Sequence, residues 1–206
     1  MDFLYKKLDF FVPHSELVTY YNELEENCEH LKWSWNKCKN DIKSEWQERM
    51  LTIPGANLGW GWGIQSNIID TTVPTPPYNI STHTLCEYRN TELAKDFVLR
   101  LQEHMPYAFR WGLFVQPPGG TVPRHTDQDD EITVHIPIHW PNEAVFEVYY
   151  DSGPVTITFP ANGHAYLLDT IIPHATFNRS NQNRVGIVFR LKRDKVDELL
   201  QLKGQI

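Results

Sequence analysis

Three side chains with metal-binding chemistry stand at a recognisable spacing in the second half of the chain. His125 and Asp127 are two residues apart, and in an extended strand such residues point to the same side. An imidazole nitrogen and a carboxylate oxygen could therefore bind one cation, and His174 would add a second imidazole. A set of two histidines and one carboxylate leaves coordination positions open and suits non-haem Fe(II) that activates O2.

The His-x-Asp pattern is weak by itself, because a chain with nine histidines is about as apt to contain one by chance as not. The surroundings favour this pair over such an accident. A Pro/Gly turn precedes it, strand-like runs flank it, and His174 and Arg184 follow downstream. Two alternatives stay open: Asp127 could pair with Arg124 instead of a metal, and Asp129-Asp130 could form a solvated acidic loop.

Composition excludes several classes of protein. The chain has 206 residues, of which 41% are apolar and 22% charged, as expected for one globular domain. A net charge of −7 without a Lys/Arg cluster lacks the footprint of a nucleic-acid binder. Nothing approaches the roughly 20 apolar residues of a membrane span, and the first residues do not resemble a signal peptide. Three cysteines indicate free thiols, and we expect a cytoplasmic protein.

The first half of the chain predicts support elements rather than chemistry. Residues 1–12 suggest an edge strand. Apolar residues at three- and four-residue steps predict a helix from Ser15, as N-cap, to about Met50, and a second helix over Thr91–Met105. Residues 52–90 are rich in Gly and Pro and predict loops that could form a lid. We divide the single domain 1–206 into support at 1–105, a β core at 106–193 and a final helix within 194–206.

The β core is predicted from short strand-like runs separated by turn signals. Eight such runs are Phe109–Gln116, Thr121–His125, Glu131–Ile138, Val145–Asp151, Val155–Phe159, Ala165–Asp169, His174–Phe177 and Arg184–Lys192. This number predicts a mostly β fold with supporting helices, in the form of a barrel or sandwich.

Alternation along two of the runs predicts which face is buried. In Ile132–Ile138 one face carries only isoleucine and valine, whereas the other carries Thr133 and His135. In Arg184–Leu191 the polar face carries two arginines. We expect the helices to cover the apolar face and the polar face to enclose a pocket. The alternative is a sheet whose polar face meets water.

The second half of the chain resembles the Fe(II)/2-oxoglutarate-dependent oxygenases, and within them the aspartyl/asparaginyl β-hydroxylase-like branch with its small microbial and phage-type members. The resemblance covers residues 106–192 and rests on Arg110–Gly120, His125–Asp127, Leu168–Asn178 and Arg184–Phe189. It implies a double-stranded β-helix (jelly-roll, cupin-like) core with the N-terminal helices packed outside a sheet.

The resemblance also implies a ligand set. His125, Asp127 and His174 would hold Fe(II), and Arg184 would grip the far carboxylate of 2-oxoglutarate, as its planar fork allows. His135 matches a residue near the other carboxylate, and Asn178 matches a recurrent asparagine. With O2, such a centre hydroxylates a C–H bond and releases succinate and CO2. The founding eukaryotic members have Gly where this chain has Asp127, so their protein substrate is not carried over.

The substrate prediction rests on aromatic and cationic residues near the motifs. Trp60, Trp62 and Trp111 could wall a pocket for an amino acid, a peptide side chain or a nucleobase-like ring. Arg110 and Arg190 could meet an acidic substrate or 2-oxoglutarate. Each also has an ordinary interpretation, as a packing anchor or a surface charge. We expect neither nucleic acid nor membrane as a partner.

Two other functions stay open. A cupin-like metal enzyme or small-molecule binding module would use the same barrel without 2-oxoglutarate, and Arg184 would then be an ordinary charge. A non-catalytic interaction domain would use the aromatic segment 59–78 as its contact surface. A zinc pair made of His135 and His139 is disfavoured, because Pro137 excludes a regular helix between them. Asp169 is expected to organise the turn before His174.

Overall fold

The computed structural model describes residues 5–27, 33–34, 53–63, 92–127 and 130–206. Its helices are α1 (His14–Asn27), α2 (Glu92–His104) and α3 (Val196–Leu199), the last preceded by a 3-10 turn at Arg193–Lys195. In this part of the chain no helix is long and apolar enough to cross a membrane.

The strands form two sheets. They are β1 (Tyr5–Phe11), β2 (Trp33–Ser34), β3 (Trp60–Gly63), β4 (Phe109–Gln116), β5 (Thr121–His125), β6 (Glu131–His139), β7 (Ala144–Tyr150), β8 (Gly153–Ile157), β9 (His164–Leu168), β10 (His174–Asn178), β11 (Arg184–Lys192) and β12 (Gly204–Gln205). The large sheet has the order β12-β1-β9-β6-β11-β4-β3-β2, and the small sheet has the order β5-β10-β7-β8. All eight predicted core runs are strands, with ends within two residues of those predicted.

Helices α1 and α2 cover the apolar face of the large sheet. Leu17, Tyr20 and Leu24 of α1, Phe97, Leu101 and Met105 of α2, and Ile132, Val134, Ile136 and Ile138 of β6 share one buried cluster. The rings of Tyr20 and Phe97 stack with centroids 4.7 Å apart, which joins the two helices. The prediction that helices pack on the outside of a sheet is confirmed.

The opposite face of the large sheet is turned towards the small sheet. A second buried cluster joins Phe146 and Ile157 of the small sheet to Tyr166 and Leu168 of β9, with Trp140 and Phe159 between them. Thr133 and His135 on the polar face of β6 are 4% and 6% exposed, so this face does not meet water. The two facing sheets form the predicted double-stranded β-helix.

The first helix is shorter than its apolar pattern predicted. It begins at His14, because the backbone N–H groups of Glu16 and Leu17 donate to the carbonyl of Pro13. Ser15 therefore lies inside the first turn and is not the N-cap. The helix ends at Asn27, and Trp33–Ser34 is a strand; the rest of the predicted helix lies outside the described residues.

Trp60–Gly63 belongs to the large sheet and not to a lid. Strand β3 pairs antiparallel with β4, with Trp60 opposite Val115 and Trp62 opposite Leu113. The glycines that suggested a loop allow close approach, since a Cβ on Gly61 would lie 2.0 Å from the carbonyl oxygen of Leu113. The lid prediction is therefore wrong for β3, and residues 64–90 lie outside the described residues.

The two ends of the chain differ slightly from expectation. Strand β1 lies between β9 and β12, so it is next to the edge strand and is not the edge itself. The final helix comprises only Val196–Leu199 after its 3-10 turn, because the chain then leaves the helix to pair Gly204–Gln205 with β1.

Candidate metal centre

The two histidines of the predicted triad are direct neighbours across a strand pair. His174 on β10 is the Cα partner of His125 on β5, and their ring centroids are 4.3 Å apart. Asp127 follows β5 by two residues. One ligand atom from each of the three side chains lies within 4.8 Å of the other two. The sequence prediction of one cluster from these three residues is thus matched by the geometry.

Backbone carbonyls orient both imidazoles. Nδ1 of His125 lies 2.7 Å from the carbonyl oxygen of Pro123, and Nδ1 of His174 lies 3.0 Å from that of Ile172. In the neutral ring Nδ1–H donates to the carbonyl, which leaves the lone pair on Nε2. Such a fixed tautomer is typical of metal-binding histidines.

Asp127 is held from the backbone and at both carboxylate oxygens. Its N–H donates to the carbonyl of Thr170 at 2.9 Å. The hydroxyl of Thr133 donates to Oδ2 at 3.2 Å, and Nη2 of Arg190 lies 3.2 Å from Oδ1. Arg124 instead stacks over the ring of Tyr149 at 4.5 Å. The partner of Asp127 is therefore Arg190, and the alternative pairing with Arg124 is wrong.

The electrostatics favour neutral imidazoles beside a charged carboxylate. Burial, reinforced by His174, lowers the pKa of His125 to about 4, and burial likewise lowers the pKa of His174. Burial alone would raise the pKa of Asp127, but Arg190 and the two histidines together bring it below its usual value. At neutral pH the cluster offers two nitrogen lone pairs and one negative charge, a donor set that fits Fe(II).

We expect the unfolding free energy of the metal-free protein to decrease when the pH is lowered from about 6.5. The unfolded chain protonates its histidines near pH 6.5, whereas the folded protein holds the pKa of His125 at about 4 and that of His135 at about 3. Stability is therefore full above pH 6.5 and is lost as the pH falls towards these folded values, by about 1 kcal/mol per pH unit for each histidine. Urea unfolding at pH 7.5, 6 and 5 measures this, and equal stability at all three would contradict it.

Arg184 is a buried cation that lacks a counter-ion in the described part of the chain. The residue is 6% exposed, and its guanidinium lies 4.6 Å from the ring centre of Trp140 and 5.3 Å from that of Phe146. Its Nη1 has no hydrogen-bond partner there, and burial lowers its pKa to about 9. An unpaired buried charge is costly, so this arrangement is suited to an anionic ligand.

His135 lies on the inner face with Arg184, whereas His139 does not. The His135 ring meets Phe146 edge-on at 4.9 Å, and burial together with the charge of Arg184 lowers its pKa to about 3. The ring of His139 instead packs 5.7 Å from that of Tyr21 on α1. The two histidines therefore face opposite sides of the sheet and do not form a zinc pair.

The side chain of Asn178 makes hydrogen bonds to the end of β4 and to the turn between β10 and β11. Its Nδ2 donates to the carbonyls of Gln116 at 2.8 Å and Gln182 at 2.7 Å. Its Oδ1 accepts from the backbone N–H and the hydroxyl of Ser180. Both amide hydrogens are therefore committed to carbonyls, and Asn178 has no donor left for a direct contact with a cofactor. The cofactor role of Asn178 stays a prediction, in which it would act through the residues that it holds.

We expect Asn178→Ala to lower the unfolding free energy by about 2 to 4 kcal/mol, because it removes the donor to the Gln116 carbonyl and the acceptor of the Ser180 N–H. Denaturant unfolding of the metal-free protein measures the change. Gln182→Ala, which changes an exposed side chain and keeps the backbone contacts of this turn, is the control. An Asn178→Ala variant as stable as the native protein would contradict the structural role.

The predicted substrate residues separate into two groups. Arg190 lies beside the triad, where its Nη1 also bonds Glu131 at 3.0 Å. Trp60, Trp62 and Trp111 pack into the helix-side core, on the face opposite the triad, and we leave them out of the proposed site. Arg110 lies on β4, but its side chain is outside the described part of the structure.

Some polar residues of the inner face carry no motif in the sequence. Thr133 and Thr170 bond each other at 3.1 Å next to Asp127, and Gln116 bonds Thr176 at 3.2 Å. Asp169 binds Arg193 through both oxygens and accepts from the N–H of Ile171, as its predicted turn role requires. The threonine and glutamine contacts were not predicted, because such residues are common in strands and only the strand register brings them together.

A double-stranded β-helix with two histidines and a carboxylate on its inner face is an architecture of non-haem oxygenases and cupin-type metal proteins. The chain belongs to the aspartyl/asparaginyl β-hydroxylase family, whose model matches residues 15–194. It is accordingly an oxygenase of the hydroxylase type. No curated protein matches the sequence.

Solved structures share the fold at low identity. A prolyl hydroxylase from Trichoplax adhaerens, solved with a hypoxia inducible factor oxygen degradation domain peptide fragment, has a TM-score of 0.53 and 12% identity, covering 97% of this chain and 88% of its own. A Pseudomonas putida prolyl-4-hydroxylase has a TM-score of 0.50 and 12% identity, covering 93% and 94% respectively. At this identity the similarity shows the fold alone.

Proposed function

We propose that the protein is an Fe(II)/2-oxoglutarate-dependent dioxygenase that hydroxylates a C–H bond of an amino acid or peptide side chain. The observation that carries the proposal is Arg184, a buried guanidinium whose Nη1 has no partner among the described residues. Arg184 and His174 of the cluster both contact the ring of Phe146, at 5.3 and 6.3 Å, so the unpaired cation lies on the same inner side as the cluster. These two features suit a dicarboxylate such as 2-oxoglutarate, because one end can chelate the metal while the far carboxylate pairs with Arg184.

The chain's own residues divide the work of binding. His125 and His174 offer Nε2 and Asp127 offers a carboxylate oxygen to Fe(II), which supplies the redox chemistry that couples decarboxylation of 2-oxoglutarate by O2 to C–H oxidation. Arg184 holds the far carboxylate of 2-oxoglutarate, and His135 lies near the other one. The products are succinate, CO2 and the hydroxylated substrate, which account for both atoms of O2.

Aromatic side chains line the interior next to His135 and Arg184. Trp140, Phe146 and Phe159 surround His135, with ring centroids at 6.3, 4.9 and 6.0 Å. An apolar wall strengthens the attraction between Arg184 and an anion, because little solvent screens it. We also propose that residues 1–206 act as one oxygenase domain, since β1 and α1 pack on the same sheet that carries Arg184.

Arg190 and the family name guide the substrate proposal. The Arg190 side chain is 25% exposed while it bonds Asp127 and Glu131, so it stands between solvent and the triad. The family comprises aspartyl and asparaginyl hydroxylases, and an amino acid or peptide side chain is therefore the first class to screen. Arg110 stays a predicted substrate contact.

Anaerobic titration followed by visible absorption tests the function. Fe(II) is added first and 2-oxoglutarate second, and a charge-transfer band that requires both is the expected result. The His174→Ala variant should give no band. Iron binding without a band on adding 2-oxoglutarate would favour a cupin-like metal protein that does not use this cosubstrate, and the absence of iron binding would favour an interaction domain. A positive result leads to a substrate screen by succinate release.

A further inference from the structure

Gln116 is a buried amide placed directly opposite the unpaired arginine. It is the Cα partner of Arg184 across β4 and β11 and is 1% exposed. Its Nε2 donates to the hydroxyl of Thr176 at 3.2 Å and to the carbonyl of the same residue at 3.4 Å. Its Oε1 has no hydrogen-bond partner in the described part of the chain.

The surrounding turn fixes the Gln116 side chain. A Cβ on Gly120 would lie 2.5 Å from Cγ of Gln116, so only glycine leaves room for the amide there. Asn178 donates to the backbone carbonyl of Gln116 at 2.8 Å. The amide orientation follows from Thr176, because its carbonyl oxygen can accept only from Nε2. Oε1 is therefore the atom turned away from β10.

Gln116 and Arg184 are cross-strand neighbours, and each has a buried side-chain atom that lacks a hydrogen-bond partner among the described residues. Buried polar atoms almost always have partners, yet Oε1 of Gln116 and Nη1 of Arg184 do not bond each other. A glutamate has almost the same shape as a glutamine but carries a negative charge. At position 116 it would neutralise Arg184 from within the fold, so the amide leaves the guanidinium available for an outside anion.

We propose that Gln116 is a positioning residue for the anionic cosubstrate, which acts by being neutral while it is held opposite Arg184. This inference rests on the proposed function, because 2-oxoglutarate is the anion concerned. Gln116 makes no chemical step itself. Its role is to keep the positive charge of Arg184 unshared until the dicarboxylate arrives.

The test compares Gln116→Glu with Gln116→Met in protein loaded with Zn(II), which replaces Fe(II) without turnover. We expect Gln116→Glu to weaken 2-oxoglutarate binding by about 30-fold or more, since the added carboxylate competes for the same guanidinium. Gln116→Met is neutral but lacks the amide. It should bind 2-oxoglutarate at least about tenfold more tightly than Gln116→Glu does. Calorimetry measures both, and Gln182→Glu, which adds the same charge at an exposed glutamine, is the control with native affinity.

Thermal unfolding without 2-oxoglutarate gives a second readout. Gln116→Glu should melt at a higher temperature than Gln116→Met, because its carboxylate pairs with Arg184. The order should reverse when both variants also carry Arg184→Met, because the carboxylate is then buried without a partner. Native affinity in Gln116→Glu, equal losses in the glutamate and methionine variants, or no melting difference would each overturn the inference. If the native protein itself does not bind 2-oxoglutarate, the proposed function fails, and the melting comparison still decides whether Gln116 keeps Arg184 unpaired.

Discussion

Replacing Arg184 with methionine will weaken 2-oxoglutarate binding by about 100-fold or more, because a buried charge pair loses one partner. The guanidinium lies against the rings of Trp140 and Phe146, where little solvent screens its charge. Metal affinity should stay near the native value, since Arg184 does not contact the triad. Calorimetry measures the affinity for 2-oxoglutarate with Zn(II)-loaded protein and the affinity for Zn(II) with metal-free protein.

The same substitution is expected to stabilise the protein without cosubstrate. The native fold buries a charge whose Nη1 lacks a partner among the described residues, and replacing such a charge with an apolar side chain can raise stability by about 1 to 3 kcal/mol. Arg179→Met is the matched control, because Arg179 is an exposed arginine bound to Glu147. If Arg184→Met left 2-oxoglutarate affinity unchanged, Arg184 would not be the cosubstrate anchor.

The His174→Ala variant is expected to bind divalent metal at least about 100-fold more weakly than the native protein. Loss of a group that merely orients a ligand typically costs 10- to 100-fold, and His174 is proposed as a ligand itself, with its Nδ1 already committed to Ile172. Anaerobic calorimetry with Co(II) measures the affinity. The substitution leaves the strand ladder in place, so the far-ultraviolet circular dichroism should be retained.

The control for this loss is His139→Ala. His139 has a ring of the same type on β6, but it packs against Tyr21 of α1 and lies on the other face of the sheet. Native metal affinity in His139→Ala together with a large loss in His174→Ala identifies the site. Equal losses in both variants would mean that the metal binds elsewhere or that both variants are misfolded.

The fold was largely predictable because alternation is strong in the β core. In β6 every second residue is isoleucine or valine, and both faces proved to be buried, one against helices and the other between sheets. The main error was β3, where two of four residues are glycine. Their missing side chains resemble a loop in the sequence, whereas the physical reason for them is the close approach of β4.

The candidate site was predictable only as far as its motifs reach. The spacing of His125 and Asp127, with His174 downstream, indicates a shared cation, and the resemblance adds the role of Arg184. The contacts that orient these groups come from strand register, which no local pattern encodes. Arg190 reaches Asp127 from β11, and Gln116 is brought opposite Arg184 by the pairing of β4 with β11.

The cross-strand pairing of the two histidines also bears on the order of events in folding. His125 and His174 become neighbours only when β5 docks on β10, two strands that are far apart in the sequence. Closing such a long loop is slow compared with forming a hairpin or a helix. The cation site is therefore completed late, and a metal that binds it stabilises the finished protein without accelerating the early steps of its assembly.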